Sequence, residues 1–491
     1  MTDDPIQKAG SALLWQAMQM GGVKAIYLVR TLILARLLLP EDFGLVAIAA
    51  TAMGFLFNIT NFGMVPALVQ SKDTDDAKYH AAWTLDFCRS FILAMVTMAS
   101  APLIADMFAE PRAIPIIQVL AIRPFIEAMT SIRMAALSRN LVFRPLAVLY
   151  IVEAVVNAMI SISFAKTWGV WALVAGTIGG TIGMVIISYY FAPYRPRLLF
   201  QWETIKPLIH FGRWIFATNL IVLTSGYLLR VLITRQFGPA GLGIYVLASQ
   251  LAFLPGDIAG ETVGAVAFPL FARLQNDVQQ ATRVFRALFS GLAAVLYPAC
   301  ALIIILAPSL SQEILGPNWT GTEDVIRIFT VVVMIGIFGE VAVSLFKGFG
   351  QPYRITLLEL IQSSFTLAFV WILTKPFGLA GAALAWLPTI AFSQFLSALF
   401  LQKILDHPFR GLQRPLLAIA VATGLCLATA ALTKSVIPGM IGFAAAIAGG
   451  ILVAGASLWI ADRLYRLGFA RNLVLVFPQI AVFVGIPSIE K

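Results

Sequence analysis

Arg36-Leu37-Leu38-Leu39-Pro40-Glu41-Asp42-Phe43-Gly44-Leu45 returns 199 residues later as Arg235-Gln236-Phe237-Gly238-Pro239-Ala240-Gly241-Leu242-Gly243-Ile244. The Arg, the Pro and the last Gly of each copy (Gly44 and Gly243) keep one spacing, and Ala49 with Ala248 extends it. Each copy lies between two long apolar segments, where Pro and Gly suit a tight turn between helices. A many-helix unit written twice is the architecture of a transporter, with the substrate path where the halves meet. The repeat therefore directs the search for function to the region between its copies.

Outward from the repeat the chain stays apolar. Of its 491 residues 60% are hydrophobic and only 12% charged, and its mean hydropathy is +0.89, outside the range of soluble domains. Stretches of about twenty apolar residues, enough to cross about 30 Å of hydrocarbon, recur near 12–38, 43–69, 81–107, 114–138, 145–165, 169–192, 211–236, 242–271, 284–307, 323–346, 355–374, 378–401, 415–433 and 440–461. The expected fold is an all-α integral membrane protein of about fourteen transmembrane helices: two parallel, pseudo-symmetric six-helix lobes plus two C-terminal helices. The alternation that a barrel requires is missing from these segments. Met1-Thr2-Asp3-Asp4 is acidic and the first apolar stretch is too long for a cleavable signal, so the first helix is expected to remain.

Charge sets the expected orientation. With the N-terminus in the cytoplasm, twenty Lys and Arg residues of the loops and ends fall inside and six outside: Arg36, Arg112, Lys166, Arg235, Lys375 and Lys434. Both termini are then cytoplasmic, and topology accounts for the net charge of +10 without nucleic acid. An even six helices per copy makes the halves parallel repeats. The expected organisation is a first lobe at 1–193, a cytoplasmic interfacial linker at 194–210, a second lobe at 211–402, and two extra helices with an interfacial tail at 403–491.

Leu34-Ala35-Arg36 through Leu45, Gly63 with Ala67-Leu68-Val69-Gln70, Gly169-Val170-Trp171-Ala172-Leu173-Val174, Arg195-Pro196-Arg197-Leu198, Gly243-Ile244-Tyr245-Val246-Leu247-Ala248, and Phe268-Pro269 before Arg273-Leu274-Gln275-Asn276-Asp277 form a recognisable series. In that order, over the first twelve helices, the chain resembles the polysaccharide-transporter (Wzx-like) branch of the multidrug/oligosaccharidyl-lipid/polysaccharide exporter superfamily. The resemblance implies a two-lobed flippase in a bacterial inner membrane. Its cargo would be undecaprenyl-pyrophosphate-linked oligosaccharide, moved from the inner to the outer leaflet by alternating access for surface polysaccharide. Membrane lipids, a polysaccharide polymerase and glycosyltransferases are the implied partners. No cofactor is implied beyond a coupling cation, Na+ or H+.

Such a cargo needs cations for pyrophosphate and hydroxyls, amides and rings for sugar. Charges inside a membrane are costly enough to mark function. At about 100° per residue, Gln16, Gln19, Lys24, Tyr27 and Arg30 share one side of the first helix, and with Arg89 and Arg123 they form the candidate substrate cavity. Snorkelling or pairing of Lys24 and Arg30 is the competing account. Asp86 with Arg89, at i and i+3, and Arg123 with Glu127, at i and i+4, can neutralise one another, and Pro124 is expected to bend the fourth helix. In the second lobe Asp257, Glu261 and Glu359 are candidates for a coupling ion or for charge balance. Pro40, Gly44, Pro239 and Gly243 are expected to form turns of an outer gate, with Arg36 and Arg235 reaching the outer headgroups.

Enzyme chemistry finds little support. Asp73-Thr74-Asp75 matches a metal-binding DxD but sits in a short charged loop. The three His and three Cys stand singly, without metal-ligand spacing, and no P-loop is present. A membrane polysaccharide polymerase would need a long periplasmic loop, whereas the longest outer loop is about 308–322. The alternative transport reading is a multidrug/cation antiporter of the same superfamily, and an inert scaffold fits poorly with so many intramembrane charges.

Overall fold

The computed structural model describes residues 5–60, 76–139, 142–199, 202–465 and 467–469; the side chains of 5–14, 16–18, 58–60, 202–222, 262 and 265 lie outside the description. No strand occurs among the described residues. Every expected apolar segment meets helix, and ten helices among the described residues are long and apolar enough to cross a membrane. The protein is a multi-pass membrane protein. Contacts divide it into two compact units, Met1–Ile244 and Tyr245–Lys491. The repeat reflects duplication and points to 194–210 as the joint, whereas the packing division falls at the end of the second repeated loop.

The first unit opens with α1 (Pro5–Leu37) and α2 (Pro40–Thr60). Pro40 occupies the first helical position of α2, where its missing N–H costs nothing. After α3 (Asp76–Met107), the stretch expected as one bent helix is three short ones: α4 (Ala113–Leu120), α5 (Arg123–Ala128) and α6 (Met134–Arg139). Pro124 explains the first break, since it withholds an N–H and crowds the preceding turn. Ser131 explains the second: its N–H donates to Ser188 Oγ at 3.0 Å and its Oγ to the Ala192 carbonyl at 2.6 Å. Those bonds tie the break to the end of α8.

Two helices, α7 (Arg144–Trp168) and α8 (Val170–Phe191), pack face to face. Gly176 and Gly180 make this possible, because a Cβ there would overlap Ser161 and the α7 backbone. Small residues at i and i+4 let membrane helices approach closely. The long α9 (Trp202–Arg273) is two helices meeting at Gly238, whose φ of 68° and ψ of −177° suit glycine. Its segment before Ile244 belongs to the first unit. Arg230 Nη1 donates to Thr51 Oγ1 at 2.8 Å, and the Tyr227 ring lies 5.2 Å from that of Phe55. Arg235, expected to snorkel, instead donates to the carbonyls of Met107 (2.7 Å) and Asp106 (3.1 Å), capping α3.

The two copies of the repeated loop touch. A Cβ on Gly44 would overlap the Pro239 carbonyl, and one on Gly243 would overlap the Pro40 carbonyl. Each copy thus offers its glycine to the other copy's proline, a reciprocal contact inside the first unit.

The second unit holds the rest of α9, then α10 (Val278–Ser309), α11 (Thr322–Gly348), α12 (Pro352–Leu384), α13 (Trp386–Gln402), α14 (Gln413–Val436) and α15 (Gly439–Tyr465). Its core is aliphatic and aromatic, centred on Phe271, Phe285, Leu292, Val341 and Phe346. The hairpin of α14 and α15 packs on α10 through Leu302, Leu306, Cys426, Ala430 and Ala446. Lys434 reaches Glu313 at 2.7 Å, joining the hairpin to the segment after α10.

Candidate functional site

Sequence patterning put Lys24, Tyr27 and Arg30 on one stripe of α1, and that stripe meets α7. Arg30 Nη2 donates to Ser161 Oγ at 3.2 Å, and Ser161 in turn lies 3.3 Å from Asn157 Oδ1. The Arg30 guanidinium stands 5.8 Å from the centre of the Tyr27 ring. Lys24 ends in a buried ammonium. Gln16 falls among the side chains outside the description.

Arg123, delivered by the break before Pro124, pairs across helices. Its Nη2 lies 3.4 Å from Glu153 Oε1 on α7, with the Glu153 side chain only 12% exposed. The expected i, i+4 pairing with Glu127 is therefore replaced by an interhelical one. Arg123 turns toward Glu153 on α7, while Arg123 and Glu127, both on α5, line a cavity of about 340 Å³ with Pro124, Phe57 and Thr177. Glu153 and Arg123 both lie within electrostatic reach of Tyr27. Arg89 is spent locally, 2.7 Å from Asp86 and 4.9 Å over the Phe57 ring.

Two donors decide what this arrangement can do. The Nε atoms of Arg30 and Arg123 are both buried and make no hydrogen bond among the described residues. A cation at mid-membrane costs about 2.5–3.5 kcal/mol on insertion scales, and a buried donor left unpaired costs about 1–3 kcal/mol more. Chemically, such donors are of the kind that can pair with an anionic group. Glu153, Asn157 and Ser161 complete the site without having been singled out as site residues. The signal available for Asn157 and Ser161 was their i, i+4 spacing with Glu153 on an otherwise apolar helix.

Arg133, just after α5, lies apart from this cavity and pairs with Asp76 at 2.9 Å. The other candidates divide. In the second unit Asp257 lines a smaller cavity, about 170 Å³, with Glu340, Gln362 and Trp386. Glu359 and Lys347 lie within electrostatic reach of Glu340, and Gly260 leaves room for its carboxylate. Glu261 is exposed and does not line that cavity. No three His, Cys, Asp or Glu among the described residues are grouped to hold a metal ion. Pro40, Gly44, Pro239 and Gly243 form the reciprocal contact described above. Outside the membrane-spanning helices, burial pushes the Tyr194 phenol up to about 12, and its Oη lies 2.7 Å from His80 Nδ1.

Known proteins fit this picture. The chain is 20% identical over 337 residues to the lipopolysaccharide biosynthesis protein WzxC of Escherichia coli (strain K12), covering 68% of each chain. It is 22% identical over 338 residues to the succinoglycan biosynthesis transport protein ExoT of Rhizobium meliloti (strain 1021), covering 69% of this chain and 68% of that one. Its fold matches the lipid II flippase MurJ in an inward closed conformation, with a TM-score of 0.73 and 15% identity over 92% of this chain and 99% of that chain. The family described as polysaccharide biosynthesis protein matches residues 33–324, more than half of the sequence. The chain belongs to that family.

Proposed function

We propose that the protein is a flippase for lipid-linked oligosaccharide. It carries undecaprenyl-pyrophosphate-linked repeat units from the inner to the outer leaflet of a bacterial inner membrane by alternating access, for surface polysaccharide assembly. The observation that carries this reading is the pair of buried guanidinium Nε donors, on Arg30 beside Tyr27 and Ser161 and on Arg123 beside Glu153. Guanidinium donors suit a diphosphate, and the neighbouring hydroxyl and amide groups suit sugar. The names of the similar proteins agree with transport rather than catalysis.

In this reading Asp257 and Glu340 serve a coupling cation, Na+ or H+, or balance charge, with Glu359 behind them. The repeated loops act as the outer gate. Both termini face the cytoplasm, and a polysaccharide polymerase and glycosyltransferases act before and after this step.

The test is the lipid-linked sugar pool of a deletion strain, with its sidedness probed by a periplasmic sugar-modifying enzyme. Complete repeat units should accumulate, protected from the enzyme, and re-expression should clear them. Arg30→Gln and Arg123→Gln should each lower clearance by about tenfold or more while the protein stays in the membrane. Exposed but unpolymerised units would instead assign a polymerase, and near-normal clearance by both variants would refute this cavity.

A further inference from the structure

At the end of the first unit, where α3 begins and α8 stops, lies a larger cavity of about 680 Å³. No part of the site above uses it. Its floor is the extended segment after α8, laid across the first turns of α3. The Leu199 N–H donates to Thr84 Oγ1 at 3.0 Å, Thr84 Oγ1 lies 3.3 Å from the Arg197 carbonyl, and Ser131 holds the Ala192 carbonyl. Tyr194 is buried and stacks on His80 with ring centres 5.3 Å apart, giving the cavity an aromatic wall.

Three guanidiniums line it: Arg133, Arg195 and Arg197. Asp76 is the one carboxylate in the lining and engages Arg133 at 2.9 Å. Arg195 and Arg197, on either side of Pro196, both line the cavity. Their guanidiniums make no hydrogen bond or ion pair among the described residues. In the second unit the loop after α13 is different: Arg286 donates there to the carbonyls of His407 (2.6 Å) and Pro408 (3.1 Å), which uses its donors on the main chain.

Depth and polarity identify the ligand class. Tyr190, in the last turn of the membrane-spanning α8, is 78% exposed, as expected of an aromatic ring at headgroup level. Leu198, next to Arg197 in the same lining, is 65% exposed. Cations beside an uncovered leucine suit an amphiphile rather than a free anion. We propose that this cavity is a docking site for the phosphate-bearing headgroup of a lipid, gripped by Arg195 and Arg197 and backed by Arg133. The ligand is either the pyrophosphate head of the transported lipid, which rests on the flippase reading, or a resident anionic phospholipid.

The full-length protein in phosphatidylcholine nanodiscs would be titrated with geranyl pyrophosphate and, separately, reconstituted with phosphatidylglycerol and counted by native mass spectrometry. Arg195→Gln/Arg197→Gln should weaken binding of at least one probe about tenfold, and Arg195→Lys/Arg197→Lys should restore part of it. Both positions are exposed, so the melting temperature should not move. Loss for geranyl pyrophosphate alone assigns the transported lipid; loss for phosphatidylglycerol alone assigns the resident one. Unchanged binding of both probes would overturn the site while leaving the flippase reading untouched. An unchanged sugar pool in the deletion strain would overturn that reading and leave the phosphatidylglycerol arm standing.

Discussion

Gly44 sits inside α2, where replacing glycine by alanine in an open helix gains about 1 kcal/mol. Here the added methyl would meet the Pro239 carbonyl, a backbone group with little freedom to yield. Overpacking of this kind costs about 1–3 kcal/mol, so the steric term wins. Gly44→Ala should lower the melting temperature of the detergent-solubilised protein, and Gly243→Ala should do the same. Gly226→Ala, where nothing lies within 4 Å of the added atom, should be neutral or slightly stabilising. A shift of equal size in all three variants would refute the reciprocal contact. At this scale sequence was a good guide to which residues share a helix face and a poorer one to what they touch. The stripe of Lys24, Tyr27 and Arg30 follows from helical periodicity alone, but its partner helix does not, because membrane helices are apolar all round and conceal their packing faces.

The broken stretch from Ala113 to Arg139 shows where local patterning runs out. Its apolar length satisfies the rule for one span, and Pro124 forecast a bend. The second break depends on Ser131 finding Ser188 and Ala192, partners some sixty residues away that no local window contains. The first break, before Pro124, delivers Arg123 to Glu153 on α7, a pairing between helices that local patterning does not contain. Ser131→Ala removes the hydroxyl donor, keeps the backbone bond to Ser188, and leaves the buried Ala192 carbonyl without that partner, at about 1–3 kcal/mol. Amide exchange over the end of α8 and the segment after it should rise in this variant, while α14 and α15 stay as protected as before. Protection unchanged near Ala192 would show that the Ser131 hydroxyl does not hold this junction.

At the scale of the chain, the helix inventory and the duplication were readable because length and hydropathy are properties of one segment at a time. The packing division at Ile244 was not, since it depends on Arg230, Arg235 and Tyr227 choosing α2 and α3. The α14–α15 hairpin is covered on α10 by small residues, including Gly450 beside Leu302 and Cys426. Helices stable on their own in lipid can associate as separate pieces. Residues 1–412 and 413–491, co-expressed as two chains, should therefore purify together, and Gly450→Leu should release the smaller piece. Recovery of the larger chain alone in the unsubstituted pair would refute that packing. The reciprocal loop contact also has a consequence for biosynthesis. Pro239 leaves the ribosome 195 residues after Gly44, roughly 10–40 s later at ordinary translation rates. For that interval the newborn amino-terminal helices lie in the bilayer with one half of a latch and nothing to fasten it to. Translation that stops short of Pro239 produces not a smaller finished machine but an unclosed one, which quality-control proteases can recognise.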